Sequence, residues 1–234
     1  MNATEALIEV RDLVVSRGSF RLRVPRWRVA PGRIVGVVGP NAAGKSTLLG
    51  HVAGLLDPSP GRVRVFGLDP IQHPVEVRQQ LGWMTDDLPL WNLRGRSLLH
   101  RLSGYWPTWD PALVERLVEH FEVPLDTKVS DLSKGAGTRL RLVLAMAFRP
   151  RLLVLDEPGT GLDLAGRRAL LAEVLEVAAD ADRAVVISSH QLADVQRIAD
   201  ELLVIADGRV VRQGPTDELV GEARTLVPSS QSLS

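Results

Sequence analysis

The sequence predicts an α/β fold: a mostly parallel sheet covered by helices on both faces. Short apolar runs that suit strands alternate with helical patterns along most of the chain, the arrangement that wraps such a sheet. Gly39-Pro40-Asn41-Ala42-Ala43-Gly44-Lys45-Ser46 matches G-x-x-x-x-G-K-[ST] and lies between a buried-strand pattern and a helix. Residues 87–135 break the alternation and look helical throughout, which marks them as an insertion into the α/β domain.

Taken in order, Leu7–Val15 alternates loosely, and Arg21–Arg28 alternates more strictly with Leu22, Val24 and Trp27 inward. The turn signal Arg17-Gly18-Ser19 between them makes an antiparallel pair. Ile34–Val38, after Pro31-Gly32, is a continuous apolar run suited to a buried parallel strand, and a helix begins near Lys45. Further strands are expected at Arg62–Phe66, Leu81–Met84, Leu152–Leu155, Ala184–Ser188, Leu202–Ala206 and Arg209–Arg212. Helical patterns fall at Leu98–Leu102, Pro111–Phe121, Gly137–Phe148, Ala165–Ala179 and Gln191–Ala199. Residues 1–222 are expected to form one domain and 223–234 a flexible tail, with Pro228–Ser234 frayed.

With 234 residues, 45% of them hydrophobic, the chain is long enough to bury a core without disulfide or metal. It has no cysteine, which excludes a thiol nucleophile and Cys-ligated zinc or iron–sulfur sites. Twenty-eight basic and 28 acidic residues balance, which argues against a nucleic-acid partner. All but three of the basic residues are arginine; the lysines are Lys45, Lys128 and Lys134. No apolar run approaches a membrane span, and the first ten residues lack a basic signal-peptide region. A membrane link is therefore expected only through a partner.

In the glycine-rich loop, backbone N–H groups would hold phosphate oxygens at a helix N-terminus. Lys45 would reach the β and γ phosphates of ATP, the Ser46 hydroxyl would ligate Mg²⁺, and Thr47 continues the binding segment. Leu152-Leu153-Val154-Leu155-Asp156-Glu157-Pro158 is an apolar strand ending in two acids. Asp156 suits Mg²⁺, and Glu157 suits a general base for the attacking water; the plainer reading is a solvated strand end.

Together with these two motifs, the order of Leu132-Ser133-Lys134-Gly135-Ala136, Gly161-Leu162-Asp163 and Ser188-Ser189-His190 resembles the nucleotide-binding subunits of ABC transporters over roughly residues 5–222. The three segments are similar to that family's signature, D-loop and switch histidine. The resemblance implies a P-loop NTPase of ABC type, with an antiparallel β subdomain and a helical subdomain. It implies a head-to-tail dimer holding two ATP molecules. Ser133 and Gly135 would contact the γ-phosphate bound to the partner, His190 the γ-phosphate of its own site, and Asp163 would organise the interface. It further implies a separate transmembrane permease that chooses the substrate and holds this subunit on the inner face of the cell membrane. The subunit itself would be cytoplasmic and peripheral, in a homodimer or a heterodimer.

Four departures stand out. Ala42 replaces a glycine, tolerable at negative φ and costly at positive φ. Asp86 stands where the family has glutamine; it serves Mg²⁺ or is a loop and cap residue. Arg17 stands near the usual adenine-stacking aromatic, with Phe20 nearby; it stacks on the base or is an exposed turn residue. Lys134 and Ala136 alter the signature to LSKGA, which looks like a bacterial export branch that includes antibiotic-resistance exporters. Trp83, Trp91, Tyr105, Trp106 and Trp109 are half of the aromatic residues and cluster at the insert. They are expected mostly in a minor core, with some lining a groove for a short helix of the permease. Arg94, Arg96 and Arg101 would pair with that partner or form a solvated face. The alternative function is a regulatory subunit that binds ATP but turns it over poorly. A DNA-repair or translation ATPase of this type would need insertions for which the length leaves no room.

Overall fold

The computed structural model of the chain describes residues 6–56 and 62–225. Its strands are β1 Ile8–Arg17, β2 Phe20–Val29, β3 Arg33–Val38, β4 Val63–Val65, β5 Leu81–Thr85, β6 Leu152–Asp156, β7 Ala184–Ser189, β8 Glu201–Ala206 and β9 Arg209–Pro215. The helices are α1 Lys45–Val52, α2 Pro74–Arg78, α3 Gly95–Leu102, α4 Pro111–His120, α5 Lys134–Met146, α6 Leu164–Ala178, α7 Leu192–Val195 and α8 Thr216–Thr225.

The strands form one sheet in the order β4-β1-β2-β9-β8-β3-β7-β6-β5. β8, β3, β7, β6 and β5 run parallel, while β1–β2, β1–β4 and β8–β9 pair antiparallel. The antiparallel wing joins the parallel part through β2 and β9, registered at Arg23 and Arg209. The two-residue turn between β1 and β2 is Gly18-Ser19, as the turn signal implies.

Alternation along the parallel strands divides the core between the two faces. Val35, Val37, Leu152, Val154 and Val186 face a cluster with Leu48 and Leu49 of α1 and with Leu22, Val24 and Trp27 of the wing. Helix α1 buries Leu48, Leu49 and Val52 in this cluster and leaves Ser46 exposed at its start. Leu153, Leu155, Val185 and Ile187 face the other way, onto Leu140, Val143, Leu170 and Val174. Leu98, Leu113 and Leu117 of the helical insert belong to that same cluster, so the insert extends the sheet's core instead of building a minor one.

Several boundaries differ from expectation. Helix α5 starts at Lys134, three residues before the expected Gly137, because Ser133 Oγ caps it by accepting the Ala136 N–H at 3.2 Å. The helix expected over Gln191–Ala199 shrinks to α7. There the chain must turn so that the Asp200 carboxylate accepts the Ile34 N–H at 2.8 Å and its own N–H reaches Ile34 O. Helix α2 is too short to show a period. Helix α8 runs to Thr225, so the expected boundary at 222 falls inside it; the expected frayed end at 228–234 lies outside the described residues. Among the described residues, no helix is long and apolar enough to cross a membrane.

Candidate functional site

The loop 39–44 carries the chain from β3 into α1. Gly44 caps α1 with φ 111°, and a Cβ there would meet Phe20 Cζ and Leu22 Cδ1 at 3.0 Å. Ala42 takes φ 62°, the costly case; an L-residue with a Cβ in this region is strained by about 1–2 kcal/mol. A tight turn enforces it, closed by the Ala43 N–H donating to Pro40 O at 3.2 Å, with Ala43 itself buried. Arg17, Phe20, residues 41–47 and Glu157 enclose a cavity of 420 Å³. The loop, including Asn41, Ser46 and Thr47, is thus brought together with Arg17 and the acidic strand end. Phe20 packs on the loop at the cavity wall, so an aromatic is present beside Arg17.

Lys45 is 5% exposed. Its ammonium donates to Gly39 O at 2.8 Å and Pro40 O at 3.1 Å and forms an ion pair with Glu157 Oε1 at 3.1 Å. Glu157 follows β6 with φ 51°, which ends the strand. His190 Nδ1 donates to Glu157 Oε2 at 2.8 Å, and Gln191 Nε2 lies 3.3 Å from His190 Nε2. Burial pushes the Glu157 carboxyl up, but the hydrogen bond from His190 and the nearby Lys45 outweigh it and hold it below the usual range. The carboxylate is therefore ionised, the form a general base needs.

Asp156 is buried at the end of β6. Ser188 Oγ donates to Asp156 Oδ1 at 2.6 Å and accepts the Glu157 N–H at 2.9 Å. Ser188 fixes both acids at once, a role the sequence did not indicate; the serine pair before His190 was the only signal. Ser46 and Asp156 supply a hydroxyl and a carboxylate, a donor set that fits Mg²⁺.

Ser133, Gly135 and Asp163 lie outside that cavity. A Cβ on Gly135 would come within 2.6 Å of Gly161 O, so the signature segment packs on the D-loop segment of its own chain. Asp163 caps α6 by accepting the Gly166 N–H at 2.7 Å, and Arg139 of α5 reaches both its carboxylate oxygens at 3.0 Å. The Gly166 hydrogen bond first, then Arg139, hold its carboxyl below the usual range despite the opposing effect of burial. Asp86, at the end of β5, is likewise outside the cavity. It faces α5, accepting from Thr138 Oγ1 at 3.2 Å and pairing with Lys134 Nζ at 3.3 Å. Thr138 and Arg139 had no motif to announce them.

The insert borders a second, apolar cavity of 400 Å³, lined by Trp83, Leu88, Trp91, Leu102, Trp106 and Phe148 among others. Trp106 stacks on Phe148 at 4.7 Å and donates from Nε1 to Arg78 O at 3.1 Å. Trp91 is 49% and Tyr105 63% exposed. The aromatics therefore divide between packing and groove wall. Arg94 and Arg96 turn to the 126 region, Arg94 donating to Asp126 O and Arg96 pairing with its carboxylate at 3.6 Å. Arg101 lies over the Trp91 ring at 5.9 Å.

Comparison with known proteins places this geometry. Residues 22–160 match the family model described as ABC transporter. The chain is 37% identical over 211 residues to the energy-coupling factor transporter ATP-binding protein EcfA2 of Symbiobacterium thermophilum, covering 85% of this chain and 72% of that protein. It is 32% identical over 224 residues to the daunorubicin/doxorubicin resistance ATP-binding protein DrrA of Streptomyces peucetius, covering 92% of this chain and 66% of that protein. A solved structure titled as the ATP binding subunit of an ABC transporter superposes with a TM-score of 0.83 at 28% identity, covering 93% of each chain.

Proposed function

Because the chain belongs to the ABC transporter family as one of its ATP-binding subunits, we propose that it hydrolyses Mg²⁺-ATP at the cavity between the glycine-rich loop and Glu157. The observation that carries this is the Lys45–Glu157–His190 cluster, in which one ionised carboxylate is held between a buried ammonium and an imidazole. ATP phosphates would take the place of Glu157 as the partner of Lys45, freeing the carboxylate to orient water and accept its proton. Ser46 and Asp156 would hold the metal, which supplies charge neutralisation of the triphosphate. Asp86 would reach it only after leaving Thr138 and Lys134. Arg17 and Phe20 would meet the adenine.

The signature and D-loop residues Ser133, Gly135 and Asp163 lie apart from the cavity, which supports completion of each site by a second ATPase subunit. Leu164, 67% exposed beside Asp163, suits such an interface. The apolar groove at the insert suits a helix of a separate transmembrane permease, which would hold the subunit at the cytoplasmic face of the membrane. The resistance protein's name and the LSKGA signature favour export. The energy-coupling factor relative belongs to a different transporter type, so direction rests on the signature.

A steady-state ATPase assay of the purified protein, with Lys45→Ala as control, tests the reading. Turnover that depends on Mg²⁺ and loss of ATP binding by calorimetry in the variant are expected. Unchanged nucleotide binding in Lys45→Ala would overturn it, and ATP binding without turnover would favour the regulatory alternative.

A further inference from the structure

Two of the unusual residues meet each other. Lys134 Nζ lies 3.3 Å from Asp86 Oδ2, while Asp86 Oδ1 accepts from the fully buried Thr138 hydroxyl. One helical turn further along α5, Arg141 donates from Nε and an Nη to Leu88 O at 3.2 and 3.1 Å. Lys134, Thr138 and Arg141 are spaced at i, i+4 and i+7, so one face of α5 grips residues 86–88. The Lys134 stem also crosses the D-loop segment, where a Cβ on Gly161 would meet its Cγ at 3.1 Å. Thr138 and Arg141 anchor the segment; only Lys134, with a side chain 64% exposed at the helix start, is placed to let go.

We propose that Asp86 is an intrachain counter-ion that masks the signature lysine, and that Lys134 must leave it to engage the triphosphate held by a second subunit. The pair is an electrostatic gate on ATP-driven association. It rests on the dimer reading above, but it adds a residue pair and a direction of effect. An ammonium already facing a carboxylate attracts a second anion less, so the pair raises the ATP concentration needed for closure. Because the pair is partly solvated, its effect is modest, about two- to fivefold.

The gate makes Asp86 and Lys134 act in opposite directions and non-additively. On a hydrolysis-blocked Glu157→Gln background, association with ATP is followed by analytical size exclusion. Asp86→Asn, which keeps an acceptor for Thr138, is expected to lower the ATP concentration for half-association about two- to fivefold. Lys134→Gln raises it, and the double variant matches Lys134→Gln. If the gain from Asp86→Asn persisted without Lys134, or if that variant needed more ATP as loss of a metal ligand would require, the gate would be wrong.

A second measurement does not need the dimer. The chain has three lysines, Lys45 buried and Lys128 serving as internal reference. Limited acetylation with acetic anhydride, read by peptide mass spectrometry, is expected to label Lys134 relative to Lys128 about two- to fivefold faster in Asp86→Asn. An unchanged ratio would show that Asp86 does not mask the ammonium. Failure of the parent variant to associate would reject the dimer reading, and with it closure as the gate's output, whatever the acetylation ratio.

Discussion

Replacing Glu157 by Gln removes one negative charge and almost no volume, and the structure separates its consequences. Lys45 Nζ sits 3.1 Å from Glu157 Oε1, a Coulomb attraction of about 5 kcal/mol at an effective dielectric constant of about 20. Neutralisation recovers the carboxylate's own desolvation and the Gln amide oxygen can still accept from the ammonium, so the substitution should cost about 1–2 kcal/mol net. For a chain of this size that is a fall of about 2–8 °C in melting temperature. The Gly39 and Pro40 carbonyls still hold the ammonium, so folding survives. ATP phosphates restore a negative partner to Lys45. The ATP-induced rise in melting temperature should therefore be larger in Glu157→Gln than in the parent, by about the same 2–8 °C. Turnover should fall about 10²–10⁴-fold through loss of the base. The assay is thermal unfolding with and without Mg²⁺-ATP, beside single-turnover hydrolysis. Hydrolysis at the parent rate would refute the assignment of the base. An ATP-induced rise no larger than the parent's would refute the exchange of partners at Lys45.

Two further outcomes follow from the same site. Ala42→Gly removes the left-handed strain of about 1–2 kcal/mol but adds freedom to the unfolded chain worth about 0.4–1 kcal/mol, so a change of about 0 to +6 °C in melting temperature is expected by calorimetry; a fall would show that the methyl group packs favourably. Glu157 has its folded pKa lowered, so its contribution to stability is present above the unfolded value and lost as pH falls through the folded one. The stability gap between the parent and Glu157→Gln, read from urea midpoints, should accordingly be full near neutrality and close as acid protonates the carboxylate.

The sequence alone determined the parts whose chemistry is local. Residues 39–46 announce a phosphate cradle because the loop's backbone, the lysine and the hydroxyl are contiguous. The run Leu152–Asp156 announces a buried strand with acids at its end because apolar length and charge are read along the chain. The alternation of β6 and β7 between two apolar clusters is not visible along these uniformly apolar runs and belongs to the fold. Tertiary structure decided what depends on residues far apart. Ser188 binds Asp156 across two neighbouring strands, 32 positions away, and no periodicity marks a serine for that task. Asp86 and Lys134 read separately as a missing glutamine and a missing glycine, and only the packing of α5 on the end of β5 makes them one ion pair. Ala42 gives no sign of its sign of φ, because the turn between β3 and α1 sets it. The physical reason is the same in each case. Periodicity and motif report on neighbours along the backbone, whereas hydrogen bonds and charge pairs between elements are fixed only when the sheet brings their ends together.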